Sequence, residues 1–271
     1  MMIQLDRIYK YFRWLSLDIV LGAIFFLAFL ERYYQVNLSI HVYFALGSAV
    51  WLIYTTDHLM DGASLANPSS DRHRFHKRYF KWLISAGGLV LILALVNVYF
   101  LEIDIVRNGA IVSACSVSYL LLVYFFRKLW VKEILVALVY SIGIYLAPIS
   151  MVDSFSYLDV ILIFQLSGVA FLNLLIFSFY DRHSDNKDGF NSLVLRLGDY
   201  RSRLSIVTCA MVIVLSCLVT GLGSPIQVLY LLMTAILLLV FLMPKLFNTS
   251  ALYRTIGDGI FYLPGIFVLL L

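Results

Sequence analysis

Apolar and polar positions fall along this chain in long blocks, not in the short alternation of a soluble fold. Nine apolar blocks cover about residues 14–30, 38–56, 80–100, 104–125, 132–151, 157–180, 203–221, 225–243 and 256–271. An α-helix rises about 1.5 Å per residue, so about 20 apolar residues cross the roughly 30 Å hydrocarbon layer of a bilayer. The pattern predicts an all-α polytopic membrane protein of about nine transmembrane helices in one bundle, with residues 1–271 forming a single domain. The last block is the shortest of the nine. Nothing between the blocks is long enough for a soluble domain, so any chemistry must sit in or beside the helices.

Composition agrees with this reading. The chain is 62% hydrophobic and 13% charged, too little polar surface for a soluble enzyme of 271 residues. Arg7, Lys10 and Arg13 precede the first block, which lacks a small-residue cleavage site and is long enough to stay as an anchor. Basic residues then orient the bundle. With the N-terminus inside and the C-terminus outside, every Lys and Arg except Arg32 and Arg107 falls on the cytoplasmic side. The expected location is the inner (plasma) membrane, with the working face toward the cytoplasm. The net charge of +4 follows from this bias, and no nucleic-acid partner is expected. Cys115, Cys209 and Cys217 all lie within apolar blocks and read as packing residues.

The longest polar segments, residues 57–79 and 181–203, both fall on the side assigned to the cytoplasm. Each opens with Asp-x-x-x-Asp where a helix leaves the membrane: Asp57 with Asp61, and Asp181 with Asp185. Side chains at i and i+4 share one face of a helix, so each pair brings two carboxylates together. Such a pair repels itself unless a cation lies between, and four oxygen-donor groups on two helices suit Mg²⁺ with its retained waters and phosphate ligands. The alternative for either pair alone is an interfacial acid balanced by neighbouring Arg and Lys. Two pairs with one spacing favour the site.

Nine spans with acidic motifs after the second and the sixth resemble the UbiA superfamily of intramembrane prenyltransferases. The second motif is similar over Asp181-Arg-His-Ser-Asp185 and onward through Ser192-Leu-Val-Leu-Arg-Leu-Gly198. The family's Tyr-x-x-x-Lys resembles Tyr124-Phe-Phe-Arg-Lys128. The first motif departs from the family's Asn-Asp-x-x-Asp-x-x-x-Asp. Asp57 and Asp61 match its last two acids, while Ile53 and Tyr54 fill the leading Asn and Asp positions.

The resemblance implies transfer of a prenyl group from a prenyl diphosphate to an acceptor, aromatic or lipid-like, that the sequence leaves unidentified. It implies Mg²⁺ held by Asp57, Asp61, Asp181 and Asp185. Arg72, Lys128 and Lys187 are the implied diphosphate contacts, and Tyr124 and Lys128 the implied catalytic pair. Membrane lipids are the remaining expected partners. The shortened first motif opens a second reading, a catalytically retired relative that binds lipid or assists assembly.

Other chemistries fit less well. His58, His73, His76 and His183 share the cytoplasmic side, but an oxygenase di-iron centre needs more imidazoles at close, repeated spacings than the one His73-x-x-His76. A CDP-alcohol phosphotransferase motif has one residue fewer between its acids than Asp57 and Asp61 have. Asn173 lies two turns before Asp181 on the same face and reads as a support of the acid site or an interhelical hydrogen bond. Asp258, four residues after Arg254, reads as its local ion-pair partner.

Overall fold

The computed structural model describes residues 2–64, 70–125, 131–189 and 192–270. Every regular element among these residues is helical, with no strand among them. Helix α1 (Met2–Trp14) meets α2 (Leu17–Tyr33) at Ser16, whose left-handed φ of 56° turns the chain through 73°. Helix α3 (Ile40–Ser64) leads to the short α4 (Asp71–Arg78), started by Ser70, whose Oγ accepts the His73 N–H at 3.2 Å. Helices α5 (Phe80–Asn97), α6 (Ile103–Phe125) and α7 (Lys132–Ser150) follow.

Helix α8 (Tyr157–Asp188) begins in a capping box between Ser156 and Asp159 and ends at Gly189, whose φ of 74° only glycine adopts freely. Helix α9 (Leu193–Thr220) is kinked at Gly198, and α10 (Pro225–Leu242) starts on a proline, which has no amide hydrogen to leave unsatisfied. The chain closes with α11 (Pro244–Phe247), α12 (Leu252–Gly259) and α13 (Leu263–Phe267), the last two joined by a 3₁₀ turn.

Among the described residues, six helices are long and apolar enough to cross a membrane, and a seventh span results if α1 and α2 count as one bent unit. The apolar blocks at 38–56 and 256–271 behave differently. The first is extended by polar residues into the 25-residue α3, and the second is broken into short helical pieces. The polar segments after blocks two and six begin as helix. They carry helix α3 on to Ser64 and α8 on to Asp188, so the acid pairs sit on rigid helix, not on mobile connections.

The 32-residue α8 is the axis of the bundle, about 48 Å long, packed by α7, α9, α10 and α12. Leu162, Leu166, Leu172 and Ile176 of α8 are fully buried against Ile144 of α7 and Met233 of α10. Polar groups join the helices where water is absent: Tyr145 and Tyr230 share a 2.5 Å hydrogen bond, and Gln227 donates to Gln165 at 3.1 Å. Helices α5 and α6 instead expose Trp82, Ile92, Leu95 and Ile111 along their outer faces. Such surfaces need lipid for a solvent, and the fold is that of an integral membrane protein.

Candidate active site

One cavity of about 1200 Å³ opens at the end of the bundle where α3, α4, α7, α8 and α12 meet. Asp57, Asp61, Asp181 and Asp185 all line it, joined by Asp188. Helical spacing explains the convergence on the α8 side. Asp181, Ser184, Asp185 and Asp188 lie at i, i+3, i+4 and i+7 and form one stripe along the wall. Lys187 falls outside that stripe; it is exposed and does not line the cavity.

Each acid pair has already met a cation. The Lys132 ammonium, at the first residue of α7, lies 2.9 Å from Asp57 Oδ1 and 3.4 Å from Asp61 Oδ2. Across the cavity the Arg254 guanidinium pairs with Asp181 Oδ2, while the Tyr253 hydroxyl donates to Asp181 Oδ1 at 2.5 Å. Tyr253 is held flat on Tyr180 at a centroid distance of 4.3 Å, and Arg254 lies over the Phe177 ring at 5.1 Å. The local pair expected between Arg254 and Asp258 gives way to this cross-helix one, because α12 packs directly on α8. Asp185 has no described hydrogen bond or ion pair. Among the described residues, no three Asp, Glu, His or Cys side chains stand close enough to form a ready-made ion site.

Arg72 opens into the same cavity from α4. Burial, with Arg254 nearby, pushes its guanidinium below the ordinary range, and Asp181, Asp61 and Asp57 oppose that shift. A half-buried guanidinium among carboxylates is a ready partner for a phosphate oxygen. Tyr124 reaches the cavity edge near the end of α6 but is 58% exposed. Lys128 lies outside the described residues.

Beneath the α4 side of the cavity three histidines pack together. The His58 and His76 rings are 5.0 Å apart, Ser16 Oγ lies 3.3 Å from His58 Nδ1, and His73 Nδ1 lies 3.6 Å from an Asp188 oxygen. His183 is exposed. Burial pushes the His73 imidazole down to about 4, against the pull of Asp188. The unfolded chain takes up that proton near pH ~6.5, so folding stability is complete above that pH and is lost as pH falls toward 4. The melting temperature of detergent-solubilised protein should fall between pH 7 and pH 5, and less so in His73→Asn. Identical pH profiles for the two proteins would refute this role.

Several site residues escaped the sequence reading. In sequence Lys132 and Arg254 read as basic residues that orient the bundle, Arg254 with Asp258 as a local partner, and neither as a partner of the acid pairs. Glu133 is also in the cavity wall; its Oε1 accepts the Leu193 amide at 3.3 Å and so ties the start of α9 to α7. Asn173, Asp258 and Asp18 line the inner part of the cavity, with Tyr54, Tyr140 and Phe261 as its aromatic wall. An i, i+4 acid pair could be found by eye, but the cations serving it come from helices distant in sequence.

The fold and cavity together define an α-helical integral membrane protein with a charged chamber at one end of its bundle, floored by apolar and aromatic side chains. The chain belongs to the UbiA prenyltransferase family, whose sequence model matches residues 72–251, about two thirds of its length. Solved structures agree in fold. A UbiA homolog from Archaeoglobus fulgidus bound to GPP and Mg²⁺ superposes with a TM-score of 0.69 at 14% identity, over 97% of this chain and 100% of that one. The same organism's homolog bound to DMAPP and Mg²⁺ gives 0.61 at 16% identity, over 97% and 99%. The apo structure of a UbiA homolog from Aeropyrum pernix K1 gives 0.65 at 15%, over 93% and 98%. No curated protein matches the chain in sequence.

Proposed function

We propose that this protein transfers a prenyl group from a prenyl diphosphate to an aromatic or lipid-like acceptor, with Mg²⁺, at the cytoplasmic face of the inner membrane. The observation that carries this reading is the meeting of Asp57, Asp61, Asp181 and Asp185 on one cavity beside Arg72 and Arg254, although the two pairs are over 100 residues apart in sequence. Family relatives bound to GPP or DMAPP with Mg²⁺ support it.

The donor set suits the ion. Mg²⁺ binds through one or two carboxylates plus waters and substrate phosphates, so Asp181 and Asp185 are enough to hold it once a diphosphate supplies further oxygens. When bound, Mg²⁺ supplies positive charge to the diphosphate as it leaves. Arg72 and Arg254 are placed to donate to the same oxygens, where charge grows as the carbon–oxygen bond breaks. The allylic cation is then captured by the acceptor, which gives up a proton. Tyr54, Tyr140 and Phe177 surround the inner cavity, and an aromatic face stabilises a cation by about 0.5–2 kcal/mol. The isoprenoid tail has an apolar path along Ile84, Gly87, Gly88 and Leu91 of α5.

Purified protein incubated with labelled prenyl diphosphates and a membrane extract should give a prenylated product whose formation EDTA abolishes. Donor binding that ignores EDTA would contradict the metal reading. The shortened first motif favours the alternative of a retired, lipid-binding relative, which predicts binding with no turnover on any donor.

The cytoplasmic assignment and the nine-span, N-in/C-out topology rest on the distribution of Lys and Arg. Single cysteines at Asp71 and Lys187, both exposed, in a background without the three native cysteines, should resist a membrane-impermeant thiol reagent in intact cells. Labelling from outside would reverse the orientation.

A further inference from the structure

The two acid pairs are not equivalent. Lys132 reaches both carboxylates of the first pair, at 2.9 Å from Asp57 and 3.4 Å from Asp61, and the three side chains are only 29%, 15% and 22% exposed. Arg254 reaches only one carboxylate of the second pair, Asp181, and leaves Asp185 without a described partner. An ion at the first pair would have to displace the ammonium or sit against it in a half-buried setting, where like charges are poorly screened. An ion at the second pair has a carboxylate waiting.

Two sequence features support this asymmetry. Position 54 carries Tyr where the first motif of the resembling family carries Asp, and position 53 carries Ile in place of Asn. The first pair therefore lacks the oxygen donors upstream that a divalent ion would use, and the site has lost one negative charge where Lys132 supplies a positive one. Lys132 also opens α7, and the partial positive charge of a helix N-terminus disfavours a lysine there. Contact with Asp57 and Asp61 offsets that unfavourable placement.

We propose that Lys132 replaces a metal ion at the first acid pair, so that the site works with a single divalent cation at Asp181 and Asp185 and a fixed ammonium at Asp57 and Asp61. The inference rests on the prenyl diphosphate reading and adds to it a metal count and a charge-balancing residue. It also explains how a chain with half of its first motif missing keeps the remaining two acids. They hold Lys132 in place, and Lys132 supplies charge beside the diphosphate.

The test is Mn²⁺ binding to the full-length, detergent-solubilised protein, counted by equilibrium dialysis with geranyl S-thiolodiphosphate present as an unreactive donor. The native protein should bind one Mn²⁺. Asp61→Asn should still bind one, Asp185→Asn should bind at least 100-fold more weakly, and Lys132→Met should bind two because the first pair is then open. Two ions on the native protein, loss of the ion in Asp61→Asn, or a folded Lys132→Met that stays at one would each overturn the proposal. If Lys132→Met fails to fold, the native and Asp61→Asn counts decide alone. A native protein that binds no Mn²⁺ with the analogue present overturns both this proposal and the prenyl diphosphate reading. Two ions overturn the proposal only and leave that reading standing.

Discussion

Asp185→Asn should slow prenyl transfer by about 10²–10³-fold, the usual loss when one electrostatic contact to a transition state is removed, while the melting temperature barely moves. The amide keeps the size of the side chain and its place on the α8 stripe. No described hydrogen bond or ion pair ends on Asp185, so the change breaks no described contact. Asp181 makes a poorer test. Its removal would strip Arg254 and Tyr253 of their shared acceptor, and lost turnover could not be separated from lost structure. Turnover on a labelled donor, measured beside thermal melting of the same preparation, distinguishes the cases. Near-native turnover in Asp185→Asn would remove the second acid pair from the mechanism.

The second large effect is expected at Gly257, on stability more than on chemistry. A Cβ there would stand 2.4 Å from Asn173 Oδ1 and 2.5 Å from Phe177 Cε1, far inside van der Waals contact. Helix propensity alone would make Gly257→Ala stabilising by about 1 kcal/mol. The steric term has the opposite sign and is larger, because the buried Asn173 amide and Phe177 ring must be displaced or α12 must move away from α8. Moving α12 carries Arg254 off Asp181, and breaking a largely buried pair costs about 3–5 kcal/mol. Gly257→Ala should therefore lower the melting temperature by several degrees and weaken donor binding together. A melting temperature equal to or above that of the native protein would show that α12 is not held this closely.

Much of this protein can be read from its sequence because a bilayer imposes simple rules. Hydrocarbon demands long apolar blocks, so the all-helical class and the main membrane-crossing helices are visible as composition. The period of 3.6 residues puts Asp57 with Asp61 and Asp181 with Asp185 on common faces whatever the helices pack against. The same arithmetic leaves Lys187 off the acid stripe, although the resemblance implied a diphosphate contact there. Helix ends were less legible, since α3 and α8 continue through polar residues that composition alone assigns to loops.

Only the tertiary structure decided which charges meet. Lys132 is 71 residues from Asp61, and Arg254 is 73 from Asp181. In sequence both are basic residues near the ends of apolar blocks, indistinguishable from those that orient the chain. Arg254 even has an acid at helical spacing, Asp258, that offers a local partner. The crossing of α12 over α8, close enough only because residue 257 has no side chain, gives Asp181 to Arg254 instead. Local spacing settles contacts made within one turn of helix. A long-range ion pair depends on how two helices approach, and that approach is set by the summed packing of residues that carry no charge at all.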